Sequence, residues 1–290
     1  MVFVPKMHGG IAPVDHRVHR MRILDIAGEL LQELVYMTAS TRGSPETVRV
    51  PVRRAPVEGL PSELGGILVA SDLQGVAPVV AAEGASQLVG EALVELLVEL
   101  EAAGLVAPLN TIGVLLAGDL YSEPAARKRG ATGDIRNVWR AFARSFRWVA
   151  GVAGNHDQFG ATARDRERFG REPGIHLLDG QVVELDGLRI GGVSGIIGPL
   201  EKHNRRDEEE MLSVLEQVVA SSPQVIVLHE GPDCGRGRPG NAAIGQVLAA
   251  CREPLIICGH VHWPDPLNLG SSGLQVLNAT ERVFLLSPPN

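Results

Sequence analysis

The sequence predicts a layered α/β fold. Two observations lead there: from about residue 64 short apolar runs alternate with amphipathic segments, and many runs are β-branched and end in Gly, Asp or His. Such runs read as buried strands, and strands alternating with helices define α/β layering. A third observation is scale: 290 residues, 44% hydrophobic and 21% charged, can bury a large core without staples and exclude wholesale disorder.

Residues 1–60 differ from the rest. Segment 5–22 carries Lys6, His8, His16, Arg17, His19, Arg20 and Arg22 among Pro and Gly and reads as an extended arm. Segment 21–37 places Ile23, Ile26, Ala27, Leu30, Leu31 and Leu34 at helical spacing, which predicts a helix. Thr47, Val48, Val50 and Val52 predict a strand or extended stretch, interrupted by Pro51. Residues 1–60 therefore read as an added helix and strand packed on, or linked to, a main domain over 61–290. A partner-binding or homodimerising arm is the alternative.

The predicted strands of the main domain are 67–70, 112–117, 148–152, 188–193, 225–228, 255–258, 274–277 and 283–286. Helices fall between them. Segment 86–103 carries Leu88, Ala92, Leu96 and Leu100 along a face, and 134–146 carries Ile135, Val138, Phe142 and Phe146 behind Asp134 as a cap. Segment 207–221 opens on four acids, which suits the positive end of a helix dipole, and Asn241 can cap a further helix.

Net charge is −7, which disfavours general coating of nucleic acid but leaves room for a local basic site. Three cysteines, Cys234, Cys251 and Cys258, show no disulfide framework and fit a reducing compartment. Lys6, His8, Asp15 and Arg17 precede any long apolar stretch, so the N-terminus does not read as a signal peptide. Nor is there an apolar run of membrane-spanning length. A soluble, cytoplasmic protein without membrane contact is expected.

The strand ends collect potential ligands. ILVASDLQG delivers Asp72, VLLAGDL delivers Asp119, GVAGNHD delivers Asn155, His156 and Asp157, VIVLHEGP delivers His229, and IICGHVH delivers His260 and His262. Loops after strand C-termini are where α/β folds bind ligands. Carboxylate plus imidazole suits borderline divalent metals such as manganese, iron, nickel or zinc. Asp119 has two oxygens with which to bridge two ions, and a metal pair can clamp a phosphoryl group and generate hydroxide at neutral pH. Each piece alone is weak; the ordered set D…GD…GNHD…H…GHxH is specific.

With these motifs, residues from about 65 to 290 resemble the calcineurin-like metallophosphoesterase superfamily. The resemblance implies a four-layer α/β sandwich with two central mixed sheets flanked by helices, and a site for two divalent ions, manganese first among them. One ion would be held by Asp72, Asp119 and His262. The other would be held by Asp119, Asn155, His229 and His260. A hydroxide between them would attack phosphorus in line, while the catalytic His156, with Asn155, binds the substrate phosphate. The first motif departs from the usual Asp-x-His, because Gln74 stands at the His position. A neutral amide oxygen is a poorer ligand. Gln74 would ligate weakly, act through water, or mark an altered first metal site. The GDxVDRG motif of the Ser/Thr protein phosphatases is absent, since this stretch reads GDLYSEP; the chain looks like the compact bacterial phosphodiesterase-like branch.

Segment 127–171 holds eleven Lys and Arg against four acids, so a basic rim near GNHD attracting phosphate-rich substrates stands beside the reading of a merely solvated surface. Arg236 and Arg238, in the Gly/Pro loop after His229, could reach a substrate phosphate. Trp263 could contact a base or pack, His203 could line the cleft mouth or be solvated, and Cys234 has no evident activating base. The reading is a metal-dependent phosphodiesterase on a nucleotide-like or other small phosphodiester. The alternatives are a phosphomonoesterase, a nuclease, or a catalytically weak phosphate-ligand-binding or interaction protein.

Overall fold

The computed structural model describes residues 20–80, 86–251, 254–270 and 273–289, so the basic arm expected over 5–22 lies almost wholly outside the described residues. Two mixed sheets organise the chain. In the first, Ile175–Leu177, Trp148–Gly151, Ile112–Leu116 and Gly66–Ser71 run parallel as neighbours. Arg282–Ser287 then pairs antiparallel to Gly66–Ser71 and parallel to Pro45–Glu58. Leu30–Ala39, Val76–Val80 and Ser86–Leu88 follow, and Arg22–Ile23 pairs with the end of Pro45–Glu58. The second sheet has the order Val182–Leu185, Leu188–Val193, Val225–Glu230, Leu255–Gly259, Gln275–Asn278 and Leu267–Leu269.

Three buried clusters hold the layers. One packs Leu68, Val114 and Leu116 of the first sheet against Leu93 and Leu97 of helix α1 (Val89–Ala102) and Val138, Trp139 and Phe142 of α2 (Arg136–Ser145). The second lies between the sheets, where Ile67, Val69, Leu115 and Phe284 meet Ile190, Val227 and Ile257. The third packs Ile226 and Ile256 against Leu215 and Val218 of α4 (Glu208–Ala220) and Ile244 and Leu248 of α5 (Ala242–Ala249). A short helix, α3 (Ala163–Phe169), lies between α2 and α4 in the chain. Each fully buried aliphatic side chain is worth about 1.5–3 kcal/mol.

The capping expectations divide. Asp207 caps α4, accepting the Glu210 N–H at 2.8 Å, and Asn241 caps α5, accepting from Ala243 and Ile244 at 2.9 and 3.1 Å. For α2 the cap position is Ile135, one residue later than expected, although Asp134 still accepts the Arg136 N–H at 3.1 Å. The buried stripe of α1 is Val89, Leu93, Leu97 and Leu100, rotated from the face first read.

The helix expected over 21–37 is a correction: this stretch forms the strands Arg22–Ile23 and Leu30–Ala39. Its apolar spacing fits a helix, but Val35, Tyr36 and Thr38 favour extended backbone, and Pro45–Glu58 offers a partner along the whole strand. The two make a hairpin closed by the Ser40 N–H to Ser44 carbonyl bond, with Gly43 at φ 74°. Pro51 does not break the second strand, because it lies just before residues 52–56, where Arg282–Ser287 begins to pair. Residues 30–58 thus extend the sheet that carries the strand-end ligands.

Gln275 ties the two sheets together. Its buried amide accepts the Ile23 N–H and donates to the Ile23 carbonyl, both at 2.8 Å. Gln275→Ala leaves two backbone groups without partners and should destabilise the protein by roughly 1–3 kcal/mol, read as a lower urea midpoint at unchanged slope.

Candidate active site

Parallel strands of both sheets end at one place. Asp72 follows Gly66–Ser71, Asp119 follows Ile112–Leu116, and His260 follows Leu255–Gly259. All three adopt left-handed backbone, at φ 55°, 54° and 68°. Non-glycine residues in that region cost of order 1–3 kcal/mol each and cluster at functional sites. Here the strained turns bring side chains from separate strands together.

Ligand atoms of Asp119, His229 and His260 lie within 4.8 Å of one another. His229 is fully buried, and its Nδ1 sits 2.7 Å from the Ala117 carbonyl. That carbonyl can only accept, so Nδ1 carries the hydrogen and Nε2 keeps a lone pair. Nε2 faces Asn155 Oδ1 at 3.2 Å and an Asp119 oxygen at 3.4 Å. Three lone-pair donors converging in a buried place require a cation between them. Burial opposes charge on His229, but Asp119 and its hydrogen bond, with Asp72, raise its pKa to about 10. An imidazole nitrogen, a carboxylate oxygen and an amide oxygen converging beside His260 make a donor set suited to a divalent ion. The residues present therefore fit a metal ion.

Asp119 divides its oxygens. Oδ1 accepts the His156 N–H at 2.8 Å, while Oδ2 meets His229 and the Gln74 amide nitrogen, the latter at 3.2 Å. Oδ2 is thus the oxygen turned to the site. Burial acts to raise the Asp119 pKa, but His229 and His156 hold it below the usual carboxylate value.

The set expected around the first ion is looser. Asp72 is buried, and its Oδ2 accepts from Ser71 Oγ at 2.6 Å and the His260 N–H at 2.9 Å. Burial and the nearby Asp119 push its pKa up, with His229 opposing. His262 stands half-exposed, its Nδ1 3.6 Å from Glu281 and its Nε2 3.2 Å from Arg282. Asp72, Gln74 and His262 line a cavity of about 720 Å³, together with Tyr36, Tyr121, Lys128, Arg129 and Arg282. His156 lies half-buried with Nδ1 3.4 Å from Thr132 Oγ1, and burial lowers its pKa.

Glycine is required where backbones crowd the ligands. A Cβ on Gly154 would lie 2.1 Å from Asp119 Oδ1, and one on Gly259 would lie 2.4 Å from Asp72 Oδ2.

Asp157 is the residue that the motif reading left without a role. It is fully buried and accepts from the backbone N–H groups of Asp119, Gly154 and Leu120 at 2.7, 2.8 and 2.8 Å. One carboxylate thereby fixes the Asp119 loop to the GNHD loop. Its place as the fourth residue of GNHD was the available signal. Asn204 was not foreseeable: its amide donates to the Gly154 and Asp157 carbonyls at 2.7 and 2.9 Å from a distant loop. His203 likewise approaches the Asp157 carbonyl at 2.7 Å.

Other expected contacts lie elsewhere. The Arg238 guanidinium pairs with Asp265, and neither Arg236 nor Arg238 lines the cavity. Trp263 is buried in the third cluster and donates to the Pro239 carbonyl at 2.7 Å, which is a packing role. Much of the basic segment is neutralised: Arg136, Arg140, Arg147 and Arg166 pair with Asp134, Glu172, Asp186 and Asp179. Lys128 and Arg129 are the basic residues of that segment that line the cavity.

The sequence profile of calcineurin-like phosphoesterases matches residues 66–264, and the chain belongs to that family. It is a metallophosphoesterase. No curated protein matches the sequence. Among solved structures it is similar to the TT1561 protein of Thermus thermophilus, at 16% identity over 74% of this chain and 88% of that one, with a TM-score of 0.48. It is also similar to a dimetal phosphatase from Danio rerio, at 16% identity over 75% and 87% of the two chains, with a TM-score of 0.44. No helix among the described residues is long and apolar enough to cross a membrane.

Asp157→Asn would turn an amide N–H₂ towards backbone donors. Metal affinity should fall about 10- to 100-fold, as expected for loss of a group that orients ligands, while the far-ultraviolet spectrum stays native. Metal titration with a competing chelator reads the change.

Proposed function

We propose that the protein is a phosphodiesterase acting on a nucleotide-like or other small phosphodiester. The observation that carries the reading is the convergence of Asp119 Oδ2, Asn155 Oδ1 and His229 Nε2, with His229 Nδ1–H given to the Ala117 carbonyl so that Nε2 faces the site. Asp119, Asn155, His229 and His260 would hold one divalent ion. Asp72, Asp119 and His262, beside Gln74, would hold the other. Manganese is the first candidate, with iron, nickel or zinc as alternatives for the same mixed oxygen and nitrogen donors. Bound ions would supply charge against the phosphoryl oxygens and lower the pKa of water.

The chain's own residues do the rest. Asp157 keeps the Asp119 and GNHD loops in register, so the ligands are preorganised before substrate arrives. His156 donates a hydrogen bond to the departing oxygen. The cavity extends well beyond the space of one phosphoryl group, and its Tyr36, Tyr121, Lys128 and Arg129 lining supports a substrate with an ester group on each side of phosphorus.

Hydrolysis of bis-(p-nitrophenyl) phosphate with added manganese, beside p-nitrophenyl phosphate, tests this. The diester should turn over faster. Asn155→Ala and His229→Ala should each lower kcat by about 100-fold or more without loss of fold. Near-normal turnover in both variants would sink the assignment.

A further inference from the structure

One wall of the cavity comes from outside the family-matched region. Tyr36, Thr38, Glu46 and Arg49 of the hairpin line it beside Asp72 and Gln74, whereas the match begins at residue 66. The hairpin is fastened to the altered first motif. Thr38 Oγ1 donates to the Gln74 carbonyl at 2.7 Å. The Tyr36 ring packs on Gly75 so closely that a Cβ there would lie 2.0 Å from its Cδ2. This contact fixes the ring at the edge of the loop that carries Asp72.

Tyr36 is only 4% exposed as a residue and lines the cavity, and among the described residues its hydroxyl has no hydrogen-bond partner and is not sealed from the cavity. The buried ring thus presents a hydroxyl to the cavity with no protein acceptor, and a donor so placed is free to meet an acceptor on a bound ligand. Burial, with Glu281, Asp72 and Glu46 nearby, keeps the phenol protonated, so it can donate throughout the neutral range. The neighbouring Gln74 amide is already given to Asp119. A phosphoryl group, whose free oxygens only accept, matches this donor.

We propose that Tyr36 is a substrate-contacting residue whose hydroxyl donates a hydrogen bond to a non-bridging phosphoryl oxygen. The inference rests on the phosphoesterase reading above. No bond forms or breaks at Tyr36, and its proton stays on the phenol oxygen. Its contribution is a neutral donor directed at oxygens on which negative charge accumulates.

Tyr36→Phe removes only the oxygen. For bis-(p-nitrophenyl) phosphate, kcat/KM should fall about 10- to 100-fold, and inhibition by inorganic phosphate should weaken about 10-fold. Bound metal per chain and the melting temperature should match wild type. Values of kcat/KM and phosphate inhibition both within about twofold of wild type would overturn the proposal. Loss of bound metal in the variant would also overturn it, assigning Tyr36 to support of the metal site instead. A wild type that hydrolyses neither nitrophenyl ester would count against the phosphoesterase reading alone. Calorimetry with inorganic phosphate then decides on Tyr36: weaker binding by the variant supports the proposal, and equal or absent binding by both proteins overturns it.

Discussion

The Asp157 carboxylate is the constraint on which the site depends. Three backbone N–H groups from two loops end on it, within a fully buried pocket. Burying a carboxylate is expensive unless such donors surround it. The exchange works because the loops it joins have no other way to satisfy those amides. Without that anchor, Asp119 and Asn155 would sit on independent loops. With it, they share one rigid frame with His156, whose own N–H returns to Asp119. Asp72 plays the matching part between the sheets, joining Ser71 of the first sheet to His260 of the second.

The frame holds left-handed backbone at its turns and gathers donor atoms around His229. Three turn residues hold left-handed backbone, and His229 Nε2 faces the Asn155 and Asp119 oxygens. The two halves of the site differ in this respect. Asp119, Asn155, His229 and His260 are drawn together, whereas His262 is turned to Glu281 and Arg282 and Gln74 is engaged by Asp119. The half with the unusual glutamine is the half that opens to the cavity and meets the hairpin.

The strand-end residues that meet at the site were legible because each follows an uninterrupted buried run. Such runs read the same way whatever they pack against, as Gly66–Ser71 and Leu255–Gly259 illustrate. Leu30–Ala39 was misread because its apolar residues satisfy a helical period as well as an extended one. Its state is decided by a partner strand, which no local pattern reveals. The pairing of Arg238 was hidden for a related reason: a cation in a loop near a site looks free until Asp265, from another loop, is seen beside it. Asp157 lay in plain view inside GNHD, but its work is done through backbone amides, which a sequence does not display. Asn204 is held in position by the tertiary fold alone.

The strand Arg282–Ser287 lies between Gly66–Ser71, which leads to Asp72, and Pro45–Glu58, which carries the cavity wall. The first sheet is therefore closed by a strand that follows every ligand-bearing loop in the chain. Until that strand docks, the early hairpin and the strand before Asp72 each present an unsatisfied edge, and the cavity has no fixed wall. Long-range closure of this kind is slow and leaves sticky edges exposed in the meantime. The Asp72 loop and the cavity wall therefore share one sheet only through a strand that comes later in the chain than either.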